Sequence, residues 1–237
     1  MEYLLILAAF VSSTLTATLG IGGGVLLISL MPGLLPAMAV VPVHGAVQLA
    51  SNLSRAALGR TDIQWRLVGI YAVGAVLGAA LGARVVVAVP ERVLPLLLGS
   101  FILLVTWAPK SWFALRWPGK FATVGAVQTF VSLFVGAAGP LVTPVLLREG
   151  LSRDRIVVTH GAMMSLLHLL KLVAFGAIGF SLAPYVPLLA GMIVSATLGS
   201  WVGTRLRSRV PEARFRKILK IALTLLALRL IVRWASG

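Results

Sequence analysis

Long apolar runs, separated by short polar or proline-rich joints, fill almost the whole chain. Each run is long enough to predict a helix, and most approach the roughly 20 apolar residues that one membrane span needs. The predicted helices cover residues 3–19, 25–35, 38–59, 67–89, 93–108, 121–147, 156–179, 183–204 and 214–234. The expected fold is an all-α polytopic membrane protein of about eight transmembrane helices.

The polar positions recur in the same order in the two halves of the chain. His44-Gly45-Ala46 returns as His160-Gly161-Ala162 and Arg55 as Lys171, both 116 residues later. LGAALGAR at 77–84 returns as LGSWVGTR at 198–205, and VPE at 89–91 returns at 210–212. We therefore predict two homologous repeats with glycine-broken first helices: 1–110, then a basic joint at 111–120, then 121–237.

The direction of the repeats stays open at this stage. Four full spans in each half would give repeats of the same orientation, whereas a re-entrant first helix would invert them. Seven basic residues between Arg205 and Lys220 favour a cytoplasmic position for that joint, which would leave both termini outside. The basic joint near Lys110 favours the opposite orientation.

Composition supports the membrane assignment and excludes other classes. Of 237 residues, 59% are hydrophobic and only 11% are charged, whereas a soluble domain is usually about a quarter charged. The chain has no cysteine, which excludes disulfides and thiolate chemistry. The net charge of +15 comes mostly from basic residues beside apolar runs, as expected for cytoplasmic loops and lipid head groups rather than nucleic-acid binding.

Two of the apolar helices carry a polar stripe. The first stripe is His44, Gln48, Asn52 and Arg55, and the second is His160, His168 and Lys171, with Met164 between them. Residues at this spacing share one helix face, and charged groups at mid-membrane are costly, so both stripes should face inward. The alternative is that the two cations reach the head groups while the histidines bond only to helix backbone.

The stripes contain no carboxylate, and this absence predicts the charge of the ligand. All six acids, Glu2, Asp62, Glu91, Glu149, Asp154 and Glu212, fall in predicted helix ends or joints. Histidines, amides and basic side chains donate hydrogen bonds to oxyanions, so the polar interior should bind an anion. The hydroxyl and amide residues of the two broken first helices could line its path or bond only to their own backbone: Ser12, Ser13, Thr14, Thr16, Gln128, Thr129 and Ser132.

The glycine runs fit the same ligand. GIGGG at 20–24 precedes a short helix, and its second copy is GAAGPLVTP at 136–144. A helix that starts inside the membrane presents free N–H groups to an anion, so we include Gly22, Gly23, Gly24 and Gly139 in the predicted site. The alternative is close packing through Gly20 and Gly24, and packing is the expected role of Gly74, Gly78, Gly82, Gly199 and Gly203.

No motif for catalysis was found. The chain has no zinc-type histidine motif, no nucleophile elbow and no nucleotide-binding loop. We therefore predict that it is not an enzyme and uses no cofactor and no metal site.

Taken together, these motifs resemble those of the sulfite exporter TauE/SafE (TSUP) family. The resemblance covers nearly the whole chain and includes GIGGG, GAAGPLVTP, the HGAVQLASNLSR block with DIQW, and the repeated LG and VPE block. It implies movement of sulfite, sulfoacetate, thiosulfate or related organosulfonates across the membrane. The residues themselves indicate only an anion.

The predicted function is therefore secondary active transport of a small sulfur oxyanion or organosulfonate. Histidines titrate near neutral pH and can carry a coupled proton. The alternatives are a passive anion channel, a metal permease that uses the histidines, or a membrane-embedded subunit of a sulfur-metabolising system. The expected location is the bacterial inner membrane, in multi-pass form. The expected partners are the anionic substrate and membrane lipids, without nucleic acid and with a homodimer left open.

Overall fold

The computed structural model describes residues 2–19, 22–109, 117–206 and 212–235, and these residues form ten α-helices joined by turns and short 3₁₀ segments. The helices are α1 (Glu2–Leu19), α2 (Gly23–Leu30), α3 (Ala37–Leu58), α4 (Trp65–Val86), α5 (Leu94–Trp107), α6 (Lys120–Val135), α7 (Thr143–Leu146), α8 (Arg153–Ala177), α9 (Val186–Leu206) and α10 (Glu212–Ala235). Gly20 and the centres of both large basic joints lie outside the described residues.

The helices follow the predicted apolar runs to within a few residues, except that α2 ends at Leu30 rather than at residue 35 and one run divides. The run predicted at 121–147 divides into α6, a 3₁₀ turn and α7, because Gly136 ends α6 with a positive φ of 70°. Pro140 and Pro144 then lack the N–H groups that a continuous helix would need. The first half has a matching break, where Gly22 precedes α2 with a φ of 96°.

Within the described residues, four helical segments are long and apolar enough to cross a membrane: Glu2–Leu19, Trp65–Val86, Arg153–Ala177 and Ala183–Leu206. The helices α5 and α6 are apolar but shorter. The 22-residue helix α3 carries the first polar stripe and is not among the four. The predicted count of about eight spans stays a prediction.

Glycines bring α4 and α6 into backbone contact. A Cβ added at Gly74 would lie 1.7 Å from the carbonyl oxygen of Ala122, and one at Gly78 would lie 2.1 Å from that of Ala126. The contacts advance in the same direction along both chains, so the two helices run parallel. The predicted packing role of these glycines is confirmed.

The helices α1 and α9 repeat this arrangement. A Cβ at Gly199 would lie 2.4 Å from the carbonyl oxygen of Phe10, and one at Gly203 would lie 2.3 Å from that of Thr14. These two helices are therefore also parallel and closely packed. In both pairs, the first helix of one half packs on the fourth helix of the other half, when the short helices α2 and α7 are counted.

The two helices with the polar stripes, α3 and α8, cross at the centre of the molecule. Gly45 faces Lys171 and Leu172, whereas Gly161 faces Asn52 and Ala56. The contacts advance in opposite directions, so α3 and α8 are antiparallel. Apolar clusters flank the crossing on both sides: one surrounds α2 and the start of α3, and the other surrounds α4, α7 and the middle of α8.

The helices α5 and α10 also pack antiparallel. A Cβ at Gly99 would approach Ala227 and Ile231, while Trp107 Nε1 donates a 2.9 Å hydrogen bond to Thr224 Oγ1, earlier on α10. Sequence position thus increases along α5 as it decreases along α10.

One end of the bundle is tied together by polar contacts between the two halves. Arg153 donates a 2.8 Å hydrogen bond to the carbonyl of Thr18 at the end of α1. The Gln64 N–H donates to Thr159 Oγ1 at 3.0 Å. An ion pair joins Asp62 to Arg155, and a second pair, within the second half, joins Lys120 to Glu149.

The described ends of both large basic joints lie at this end of the bundle. One joint leads into the start of α6, and the other follows the end of α9, which lies beside the end of α1. The expectation that the two joints favour opposite orientations is therefore wrong. The short helices α2 and α7 do not cross the bundle as full spans would. Each of them therefore reverses the side on which the joints that follow it lie, relative to a count of full spans.

Candidate functional site

A small cavity of about 40 Å³ lies where α3 and α8 cross. By the volume that a single water requires, it holds about three waters or one anion of a few heavy atoms. No carboxylate is among its lining residues. They are Thr16, Gly22, Gly24, Val25, His44, Gln48, Asn52, Ala137, Gly139, Pro140, His160, Met164 and His168.

The α3 side of the cavity is a chain of hydrogen bonds whose direction is set by Arg55. The guanidinium of Arg55 donates to Asn52 Oδ1, and a guanidinium can only donate. The Asn52 amide must therefore turn its Nδ2 the other way, where it donates to the Gln48 carbonyl at 2.6 Å and to Gln48 Oε1 at 3.4 Å. This arrangement leaves Gln48 Nε2 as the terminal donor of the chain.

Gln48 Nε2 is buried and has no hydrogen-bond partner within the part of the chain that the structure describes. The cavity is lined by Gln48, so the amide presents two N–H hydrogens to a ligand there. An unsatisfied buried donor costs roughly 1–3 kcal/mol, which an acceptor in the cavity would recover.

The α8 side uses the same principle with Lys171. Its Nζ donates to the Gly136 carbonyl at 2.5 Å and to His168 Nδ1 at 3.4 Å. When Lys171 is charged its Nζ can only donate, so His168 then accepts at Nδ1 and carries its hydrogen on Nε2. The His168 ring lines the cavity, so on this side too the cation turns a donor toward the ligand space.

The two stripe cations are buried. Arg55 is 2% exposed and Lys171 is 0% exposed, which excludes the alternative in which they reach the lipid head groups. Neither lines the cavity; each holds the neighbouring stripe residue. Arg55 also donates to Ser51 Oγ at 3.2 Å, and Ser51 in turn bonds to Ser13 on α1 and Ser200 on α9.

His44 and His160 hold the starts of the two broken segments. His44 Nε2 donates to the Gly24 carbonyl at 2.9 Å, and His160 Nε2 donates to the Gly139 carbonyl at 3.2 Å. Both rings also line the cavity. His44 Nδ1 is buried without a hydrogen-bond partner among the described residues, and the ring packs edge-on against His168 with centroids 5.8 Å apart.

The predicted glycines divide between two roles. Gly22 and Gly24 line the cavity at the N-terminus of α2, where a Cβ at Gly24 would lie 3.4 Å from the Gln48 amide. Gly139 lines it from the second half. Gly23 does not line the cavity: a Cβ there would lie 1.8 Å from the Ser12 carbonyl oxygen, so this glycine serves the contact between α1 and α2.

The structure thus brings eight predicted site residues to the cavity and places Arg55, Lys171 and Gly23 behind it. Four lining residues without a polar signal are not in the predicted site, namely Val25, Ala137, Pro140 and Met164, although Met164 lies on the predicted inward-facing stripe of α8. Of the hydroxyl residues, Thr16 lines the cavity, although its hydroxyl donates to its own helix at Ser12. Gln128 instead holds Met164 from behind.

The described residues contain no group of three or more metal-type ligands that could hold an ion. The three histidines lie around the cavity, but two of them use Nε2 to donate to backbone carbonyls. The arrangement therefore suits an acceptor-rich ligand rather than a cation.

Comparison with known proteins gives one match. The family model described as "Sulfite exporter TauE/SafE" matches residues 5–230. No curated protein and no solved structure matches the chain.

Proposed function

Because the chain belongs to the sulfite exporter TauE/SafE family of membrane transporters, we propose that it moves a small sulfur oxyanion or organosulfonate through the cavity at the α3–α8 crossing. The candidate substrates are sulfite, thiosulfate and sulfoacetate. The observation that carries this proposal is the donor-lined cavity without a carboxylate, in which both stripe cations orient donors toward the ligand space.

The N-terminus of α2 adds to this anion site. The first N–H groups of a helix have no partner within the helix and carry partial positive charge. Gly22 and Gly24 at this terminus and the free Gln48 Nε2 line the same cavity. An oxyanion there would accept hydrogen bonds from α2, Gln48 and His168 together.

The helix directions support an inverted arrangement of the two repeats. The helices α3 and α8 carry matching motifs and run antiparallel, as do α5 and α10, which occupy the last position of each half. A two-fold rotation that exchanges two antiparallel helices has its axis perpendicular to both of them. For helices that cross a membrane, this axis lies in the plane of the membrane. Repeats of this kind usually place the substrate where the halves meet.

A larger apolar cavity is the proposed route to the site. It measures about 420 Å³ and lies at the end of the bundle opposite the basic joints. Its lining includes Val41, Leu133 and Phe175, each within about one helical turn of His44, Gly136 and Lys171 respectively. The basic end is instead tied closed between the halves, so this conformation favours access from the apolar cavity.

An active transporter can accumulate the anion against its concentration gradient, whereas a passive channel cannot. Uphill accumulation in sealed vesicles would support secondary transport, whereas equilibration alone would support the channel. The unpaired Nδ1 of His44, whose ring packs against that of His168, is the proposed place for a coupled proton beside the anion. Accumulation that follows an imposed pH gradient would support this coupling.

Replacing Gln48 by Leu should weaken uptake of the transported anion. The change removes the terminal donor of the α3 chain, and a hydrogen bond to a charged group is worth about 1.5–3 kcal/mol. We expect the apparent KM for labelled sulfite or thiosulfate in proteoliposomes to rise about 10- to 100-fold.

Ser54→Ala is the matched control, because its hydroxyl bonds only within the same helix, to the Ser51 carbonyl at 3.0 Å. It should leave the KM unchanged. Saturable uptake that is equally strong in Gln48→Leu would remove the cavity from the transport path.

Single cysteines should report the orientation, since the natural chain has none. Thr61→Cys lies at the basic end, and Ser181→Cys lies in an exposed turn near the apolar cavity. If basic segments face the cytoplasm, a membrane-impermeant maleimide should label Ser181→Cys in intact cells and Thr61→Cys only after permeabilisation. The reverse pattern would overturn the proposed orientation.

A further inference from the structure

The two helices that form the cavity present different chemistry at one matched position. His44 of α3 corresponds to His160 of α8, and both rings line the cavity with the same type of contact to a carbonyl. Four residues further on, α3 carries Gln48 and α8 carries Met164, both of which also line the cavity. The amide can donate two hydrogen bonds, whereas the thioether can donate none.

Met164 is a fixed part of the cavity wall. Its Sδ accepts a 3.4 Å hydrogen bond from Gln128 Nε2, which also donates to the Ala138 carbonyl at 2.9 Å. Gln128 Oε1 in turn accepts from the Tyr71 hydroxyl at 3.3 Å. Gln128 and Tyr71 are fully buried and Met164 nearly so, and both N–H hydrogens of Gln128 are engaged, so Gln128 has no donor left for a ligand beside Met164.

The remaining donors lie elsewhere around the cavity. Gln48, with its unpaired Nε2, lines it from α3, His168 lines it from α8, and Gly22 and Gly24 line it at the N-terminus of α2. Oxygen atoms of a bound anion therefore find side-chain or helix N-terminal donors at these positions, whereas among the described residues no free side-chain donor lies beside Met164.

We propose that Met164 determines specificity, by selecting anions in which an –SO₃ group carries a fourth substituent other than oxygen. The lone pair of sulfite, the terminal sulfur of thiosulfate and the carbon of an organosulfonate can each lie against a thioether. The fourth oxygen of sulfate or phosphate would be buried there without a side-chain donor. This inference rests on the proposed function, because it assumes that the cavity is the anion site.

The size of the effect follows from one missing hydrogen bond to a charged oxygen. Sites that leave a polar ligand atom unpaired discriminate strongly, and a single such loss corresponds to roughly 10- to 100-fold in affinity. Sulfate should therefore compete with the transported anion at least about ten times less well than unlabelled sulfite does.

The test is competition against labelled thiosulfate uptake in proteoliposomes, with sulfite and sulfate as unlabelled competitors. Met164→Gln gives α8 the donor that α3 has, at nearly the same side-chain length. We expect it to improve sulfate competition about tenfold or more and to weaken sulfite competition. Met164→Leu keeps the apolar wall and should retain the natural preference. This variant therefore separates the effect of an added donor from the effect of a packing defect.

Met163→Leu is the control, because Met163 is buried in the core beside Met164 but does not line the cavity. Equal competition by sulfate and sulfite in the natural protein, or an unchanged ratio in Met164→Gln, would overturn the role of Met164 and leave anion transport standing. Absence of saturable uptake of any of these anions in the natural protein would overturn the proposed function, and this inference with it.

Discussion

Replacing Arg55 by Met should lower uptake at low substrate concentration roughly 100-fold, although Arg55 does not line the cavity. The guanidinium fixes the Asn52 amide, and Asn52 in turn fixes Gln48 with Nε2 as its free donor. Without the cation, both amides can reverse and present oxygen to the anion. The loss of the oriented hydrogen bonds to the charged anion should weaken its binding by about 3 kcal/mol, which corresponds to the roughly 100-fold fall in uptake. Labelled uptake in proteoliposomes measures the effect.

Arg55→Lys should retain most of the uptake, because position 171 shows that an ammonium group can orient a stripe residue in this fold. Arg66→Met is the charge-matched control, since Arg66 is exposed at the start of α4.

A double-mutant cycle tests whether Arg55 acts through Asn52. If it does, Asn52→Leu combined with Arg55→Met should be no worse than Asn52→Leu alone. Additive losses would contradict the orienting role and favour direct attraction of the anion.

Replacing Gly74 by Ala should destabilise the protein by about 3 kcal/mol, at the upper end of the usual range for overpacking. The added Cβ would lie 1.7 Å from the Ala122 carbonyl oxygen, and a backbone atom in a neighbouring helix cannot move aside as a flexible side chain can. We expect a clear fall in the unfolding temperature of the detergent-solubilised protein, measured by scanning fluorimetry.

Gly69→Ala on the same helix is the control, because a Cβ there meets nothing within 4 Å. It should change the stability by less than about 0.5 kcal/mol. Gly199→Ala, at the equivalent contact between α9 and α1, should behave like Gly74→Ala. If Gly69→Ala and Gly74→Ala have equal unfolding temperatures, α4 and α6 do not pack as closely as described.

The residues of the site could be predicted largely from sequence, but their roles could not. Four polar side chains at helical spacing in an apolar segment identified the inward face of α3, and recurrence identified α8. Arg55 and Lys171 were expected to attract the anion directly, since a sequence shows charge but not hydrogen-bond direction. Their place behind the cavity depends on which neighbours Asn52 and His168 meet after packing.

Met164 shows the complementary limit. A methionine in an apolar helix carries no sequence signal of a binding role, because most such residues fill core space. The proposed binding role of Met164 depends on its match to Gln48 in the other half and on its contact with Gln128 in the folded protein. The positions of the joints were missed for a topological reason: the apolar runs do not show that α2 and α7 return without crossing.

The exchange of partners between the halves has a consequence for biogenesis. The helix α1 packs most closely on α9, which begins about 170 residues later in the chain. At the usual rate of about 5–20 residues per second, α1 enters the membrane roughly 10–30 s before its partner is synthesised. During that interval the glycine-matched face of α1 must be covered by lipid or by an insertion chaperone, so mutations on this face should impair assembly before they impair transport.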